Sequence, residues 1–159
     1  MRWCWTRHPP HQFVLSGGRV KALAAMAHAV QVEQALQRLR SGESHAGDLQ
    51  LVAKYPDYVI AIAKSSGGDM ALCHAPDADG RTLAAVFTHN DAADLALGKM
   101  QAHYAPSQVV TLKSAGPQLF RMLAGMQNLD GLVFNFEGPG NAIAFAAGIS
   151  EILLAEAEK

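Results

Sequence analysis

Cysteine is scarce in this chain: Cys4 and Cys73 are its only two, and neither sits in a Cys-x-x-Cys or Cys/His ligand spacing. That excludes a disulfide scaffold and a four-ligand zinc site, and no metal or cofactor is expected. Charge is low too, at 17% of residues with a net value of −1. The protein therefore lacks the basic footprint of a nucleic-acid binder, and aromatics are only 7%. No apolar run approaches the ~18 residues of a membrane-spanning helix. The longest, from Asn141 to Ala155, is broken by Ser150 and Glu151. What is present is a 50% share of hydrophobic residues in 159 positions. This suits one globular domain with a real core and excludes a wholly disordered chain. Free thiols fit a reducing compartment, so a cytoplasmic location is expected, and Cys73, in an apolar run, reads as a core residue.

The first 25 residues differ from the rest. They hold both tryptophans, the Pro9-Pro10 pair, and Arg2, Arg7, Arg19 and Lys21 without any acid. They carry +4, so residues 26–159 carry −5 against −1 for the whole. Phe13-Val14-Leu15 is too short for the apolar stretch of a secretory signal, and Pro9-Pro10 breaks the helix of a mitochondrial presequence. Ala22 to Ala29 resembles a cleavage site, which keeps export as an alternative. The preferred expectation is that Met26 is the true start, residues 1–25 being an over-extended reading frame or, if translated, a basic disordered extension, with one domain over 26–159.

Within 26–159, Val32, Leu36 and Leu39 follow helical spacing and Ser41-Gly42 closes that helix. Asp48 is placed to cap a short helix ending before Tyr55-Pro56. Tyr58 to Ile62, Met70 to His74 and Thr82 to Phe87 read as three strands of an antiparallel meander joined by Gly-rich turns. The period then changes. Thr88-His89-Asn90-Asp91 has capping-box spacing ahead of an Ala92, Leu95, Ala96, Met100 stripe. Val109 to Leu112, Leu132 to Phe134 and Ile143 to Phe145 are further strands. Helices are expected from Ser114–Pro117 onward, with Leu119, Leu123 and Met126 on one face, and at Ile149, Ile152 and Leu153. Pro117 suits a first helical turn. The order predicts an α/β (α+β) domain: a single mixed β-sheet, an N-terminal antiparallel meander, then alternating strands and helices that cover the sheet.

Several of these segments together resemble a known family. They are Glu33-Gln34-Ala35-Leu36 in an early helix, Val86-Phe87-Thr88 before another, and Leu119-Phe120-Arg121-Met122-Leu123. The last is Gly131 to Asn135 ahead of a Gly-Pro-Gly loop. In order and spacing the chain is similar to the SseB-type N-terminal domain, named for enhanced serine sensitivity, over roughly residues 30–155. It departs from the pattern in Phe136, where members have proline directly after the asparagine, and in His89, where serine is common. The resemblance implies a bacterial cytoplasmic protein with no established catalytic activity.

Chemistry-bearing residues are few. Cys73 and His74 are adjacent in a strand and point to opposite faces, so they cannot exchange a proton. Asp77, Asp79 and Gly80 form a turn without the downstream ligands of a calcium loop. His89, Asp91 and Asp94 read as a capped helix start with acids favoured by its dipole. His28, His45 and His103 read as solvated surface residues. Neither Ser16-Gly17-Gly18-Arg19 nor Ser65-Ser66-Gly67-Gly68 ends in the Lys-Ser/Thr of a phosphate loop. No catalytic residue is assigned.

One candidate interaction or ligand loop remains: Phe87, Thr88, Asn135, Gly138, Pro139 and Gly140. If the two strands are neighbours, both motifs lie at strand C-terminal ends, where open α/β sheets bind ligands. Asn135 then either hydrogen-bonds a peptide or small polar ligand, or caps a turn while Phe87 fills the core. The leading expectation is a non-enzymatic protein-interaction module that binds another protein or itself, with no nucleic acid and no membrane. A small-ligand sensor for a metabolite or amino acid is the alternative, and a hydrolase or transferase stands third.

Overall fold

A computed structural model describes residues 17–75, 77, 79–136 and 142–159. Among them are five helices and one mixed sheet of seven strands. In chain order these are α1 (Gly17–Ser41), α2 (Asp48–Ala53), β1 (Tyr58–Lys64), β2 (Met70–Leu72), β3 (His74–Ala75) and β4 (Leu83–Phe87). They continue with α3 (Asn90–Tyr104), β5 (Gln108–Ser114), α4 (Gly116–Ala124), β6 (Gly131–Phe134), β7 (Ile143–Ala146) and α5 (Ile149–Ala157).

β1 lies inside the sheet. Its whole length pairs antiparallel with β5 on one side, while on the other it meets β4 at Val59–Phe87 and Ile60–Val86. Further along, β1 and β4 splay, and the segment 70–75 fills the fork. β2 runs in along β1 from Lys64–Met70 to Ile62–Leu72, and β3 runs out along β4 through His74–Ala84 and Ala75–Leu83. Cys73 is the apex, its amide donating to Ala61 and its carbonyl accepting from Ala85. The expected meander therefore closes as a V between two strands, because a continuous strand from 70 to 74 could follow only one of two diverging neighbours. β6 lies parallel to β4, and β7 antiparallel to β6.

Side-chain alternation divides the core into two layers. Tyr58, Ile60, Ala84, Val86, Leu132 and Phe134 face α1, α2, α4 and α5. Val59, Ala61, Ala85, Phe87 and Val133 face α3, which buries Ala92, Ala93, Ala96 and Met100. Leu95, expected on that stripe, is exposed; Ala93 takes its place, since small side chains let α3 lie close to the sheet. Two glycines mark close approaches. A Cβ on Gly116 would overlap the carbonyl of Ala53, and one on Gly131 the carbonyl of Phe145.

Residues 17–25 are helical and continuous with the rest of α1, where a disordered extension was expected. Arg19 through Ala25 are mostly good helix formers, and the border proposed at 26 falls inside the helix. Residues 1–16 lie outside those described. Asp48 is likewise not the α2 cap; that position is Gly47, in a left-handed conformation at φ 91°. Asp48 is buried and takes two hydrogen bonds from the Arg38 guanidinium, at 2.8 and 2.6 Å, and one from the His45 amide at 2.8 Å. These hold its carboxyl down at a pKa of about 2, the Arg38 contact first among them.

Candidate functional site

The parallel pairing of β4 with β6 brings Thr88 and Asn135 side by side at the two C-terminal strand ends. The Thr88 amide donates to Asn135 Oδ1 at 2.9 Å, and Asn135 Nδ2 donates to Thr88 Oγ1 at 3.0 Å. Asn135 holds φ at 51°, the left-handed region that asparagine enters more readily than other side chains, and its amide still donates to Val86 at 2.9 Å. Local backbone preference and side-chain pairing thus select the same residue.

Glu33 of α1 closes the cluster. Its Oε1 accepts from the Thr88 hydroxyl and from Asn135 Nδ2, the latter at 2.9 Å, and lies 3.3 Å from His89 Nε2. The other ring nitrogen of His89 accepts from the Ala92 amide at 3.2 Å, capping α3. In the neutral ring the proton is therefore on Nε2, facing Glu33, and the only lone pair is occupied. The expected Thr88 capping box does not form, because the Thr88 side chain is turned inward and fully buried. Below it the Tyr55 hydroxyl donates to the Thr88 carbonyl at 2.7 Å, and burial, with Asp57 and Glu33 nearby, raises that phenol to about 12.

Of the candidate loop, the structure places Phe87, Thr88 and Asn135 together. Phe87 is fully buried in the α3-side core, 5.5 Å from the Phe136 ring. Gly138, Pro139 and Gly140 lie outside the described residues. Beside the cluster is a cleft of about 360 Å³ between α1 and the sheet end, whose lining includes Ala22, Met26, Tyr55, Thr88, His89 and Lys113. Glu33, Tyr55 and Lys113 escaped sequence reasoning as site residues, since only the strand order brings them here.

The other reactive residues are separate. Cys73 is buried, and desolvation raises its thiol to about 11. His74 donates its amide to the Tyr104 hydroxyl at 2.6 Å, and burial, then His103, lowers its imidazole pKa. Asp77 turns back to Arg81 Nε at 2.9 Å, as a turn residue does. Among the described residues no group of three or more His, Cys, Asp or Glu converges as a metal site, and no helix is long and apolar enough to cross a membrane.

A second feature lies on α1. Residues 17–27 are all exposed, and Val20, Leu23, Ala27 and Val30 follow the 3-4-3 spacing of a helix-pairing seam, with Leu23 66% exposed. At 3.6 residues per turn this seam is about half a turn from Ala29, Val32, Ala35 and Leu36, the face α1 buries. Val20 and Leu23 fall within residues 1–25, expected to lie outside the fold, so the spacing is divided at the expected border.

These features define an α+β domain with a single mixed sheet, helices on both faces and a polar cluster at the shared end of two parallel strands. The chain belongs to the family described as the SseB protein N-terminal domain, whose model matches residues 20–145. No curated protein and no solved structure matches the chain.

Proposed function

We propose that this domain is a non-enzymatic protein-interaction module of a bacterial cytoplasm. The observation that carries the reading is the outward apolar seam on α1. A soluble helix normally keeps its apolar stripe for the core, and exposed contiguous apolar surface marks an interaction site. The polar cluster supports the same reading. Its hydrogen bonds run among its own members: His89 Nδ1 accepts from the Ala92 amide, and Glu33 Oε1 accepts from Thr88 and Asn135 and faces His89 Nε2. Glu33, Thr88 and Asn135 thus fasten α1, which carries the seam, to the ends of β4 and β6.

The test is capture from the host with tagged full-length chain and with Leu23→Glu beside it. The reading expects a stoichiometric protein on the wild type that the variant loses. Equal capture by both, or none by either, counts against it.

The cleft of about 360 Å³ favours one alternative, a small-ligand sensor that uses Tyr55, His89 and Lys113. A metabolite that raises the melting temperature of the wild type but not of Lys113→Ala would favour it.

A further inference from the structure

Building on the interaction reading, we infer that the α1 seam docks on the α1 seam of a second copy, the two helices antiparallel about a two-fold axis near Ala25. Spacing and charge converge on this occupant. The 3-4-3 spacing of Val20, Leu23, Ala27 and Val30 is what one helix presents to another, and it is nearly symmetric about its midpoint. Antiparallel pairing sets Val20 of one copy against Val30 of the other and Leu23 against Ala27, so one Leu–Ala pair and one Val–Val pair lie on each side of the axis. The seam spans about 15 Å of helix at 1.5 Å per residue and stays on the face away from the domain throughout.

Charge fixes the direction. From Gly17 to Val30, α1 carries Arg19 and Lys21 and no acid, while residues 26–159 carry −5. A parallel pair would stack four cations side by side at one end. The antiparallel pair separates the two basic ends and lays each beside the acidic body of the other copy, the arrangement that opposite charges favour. Docking also packs the helical turns from Gly17 to Ala27, which are exposed throughout, and packing supplies most of a helix's stability.

Analytical ultracentrifugation of the full-length protein tests this. The mass moves with concentration from 16.9 kDa towards twice that value. Leu23→Glu weakens association ~100-fold, because the two-fold axis removes the same side chain twice. Its circular dichroism spectrum keeps the helix and strand signal of the domain body and loses at most the turns from Val20 to Val30, the site being exposed. In a Cys4→Ser background, Val20→Cys with Val30→Cys gives an oxidised dimer, and Val20→Cys alone gives none.

A mass of one chain up to ~1 mM overturns the inference, as does a dimer unaffected by Leu23→Glu. So does cross-linking through Val20→Cys alone, which reports parallel helices. A full-length monomer that dimerises only after removal of residues 1–16 overturns it by assigning the seam to those residues. A monomer that holds a different protein through Leu23 overturns this inference while the interaction reading stands.

Discussion

Glu33 and Asn135, 102 positions apart, meet through a 2.9 Å hydrogen bond that fastens the helix α1 to the end of β6. Thr88 donates to the same carboxylate oxygen from the end of β4. One side chain thus joins three elements at the C-terminal ends of two parallel strands.

Removing that acceptor strands its donors. Glu33→Ala should cost about 2 kcal/mol, near the charged-hydrogen-bond range, and lower the melting temperature by about 5 °C. Asn135 loses on two counts. Asn135→Ala should cost about 3 kcal/mol, because alanine resists φ 51° as well as lacking the amide. Asn135→Gly keeps the backbone relaxed and should cost about 2 kcal/mol. Urea titration of the three variants reads the order, and glycine less stable than alanine would contradict it.

Acid should act through Asp48. Its folded carboxyl titrates at about 2, below the ~3.9 of an unfolded aspartate, so the folded state binds fewer protons between those values. The stabilisation is full above pH ~4 and fades as pH falls towards 2. Asp48→Asn should remove about 2 kcal/mol at neutral pH and flatten that part of the pH–stability curve. An unchanged slope would contradict the assignment.

Three glycines should separate cleanly. Gly116→Ala and Gly131→Ala drive a Cβ into backbone carbonyls and should each cost ~2 kcal/mol or more. Gly98, exposed in α3 with open space around it, should gain up to about 1 kcal/mol as alanine. Thermal unfolding of the three variants checks the signs.

In Cys4→Ser protein the remaining thiol, Cys73, should stay unreactive to a disulfide reagent at neutral pH until urea unfolds the chain. It is buried, and desolvation holds it protonated, with a pKa of about 11. Fast labelling of the native protein would show that the β2–β3 fork opens.

The strands were legible because β-branched runs such as Tyr58 to Ile62 and the Leu132 to Phe134 run have little other use. Pro117 marked the start of α4 for the same local reason. The V at Cys73 was not legible: Met70 to His74 reads as one run, and only the divergence of β1 from β4 bends it. Nor was the Glu33 cluster, since its members become neighbours only once β4 and β6 are paired. Asp48 has the local signature of a cap, yet Arg38, one loop away on α1, outbids the backbone for its carboxylate. The unusual composition of residues 1–25 concealed the start of α1 and the seam it carries.

Hydrogen exchange along α1, read on the full-length chain isolated from its host with bound protein left in place, tests the central claim most directly. The account predicts that amides from Val20 to Val30 exchange as slowly as those from Val32 to Leu39, and that Leu23→Glu frees only the first group. Fast exchange from Val20 to Val30 in the wild type, unchanged in Leu23→Glu, would contradict it.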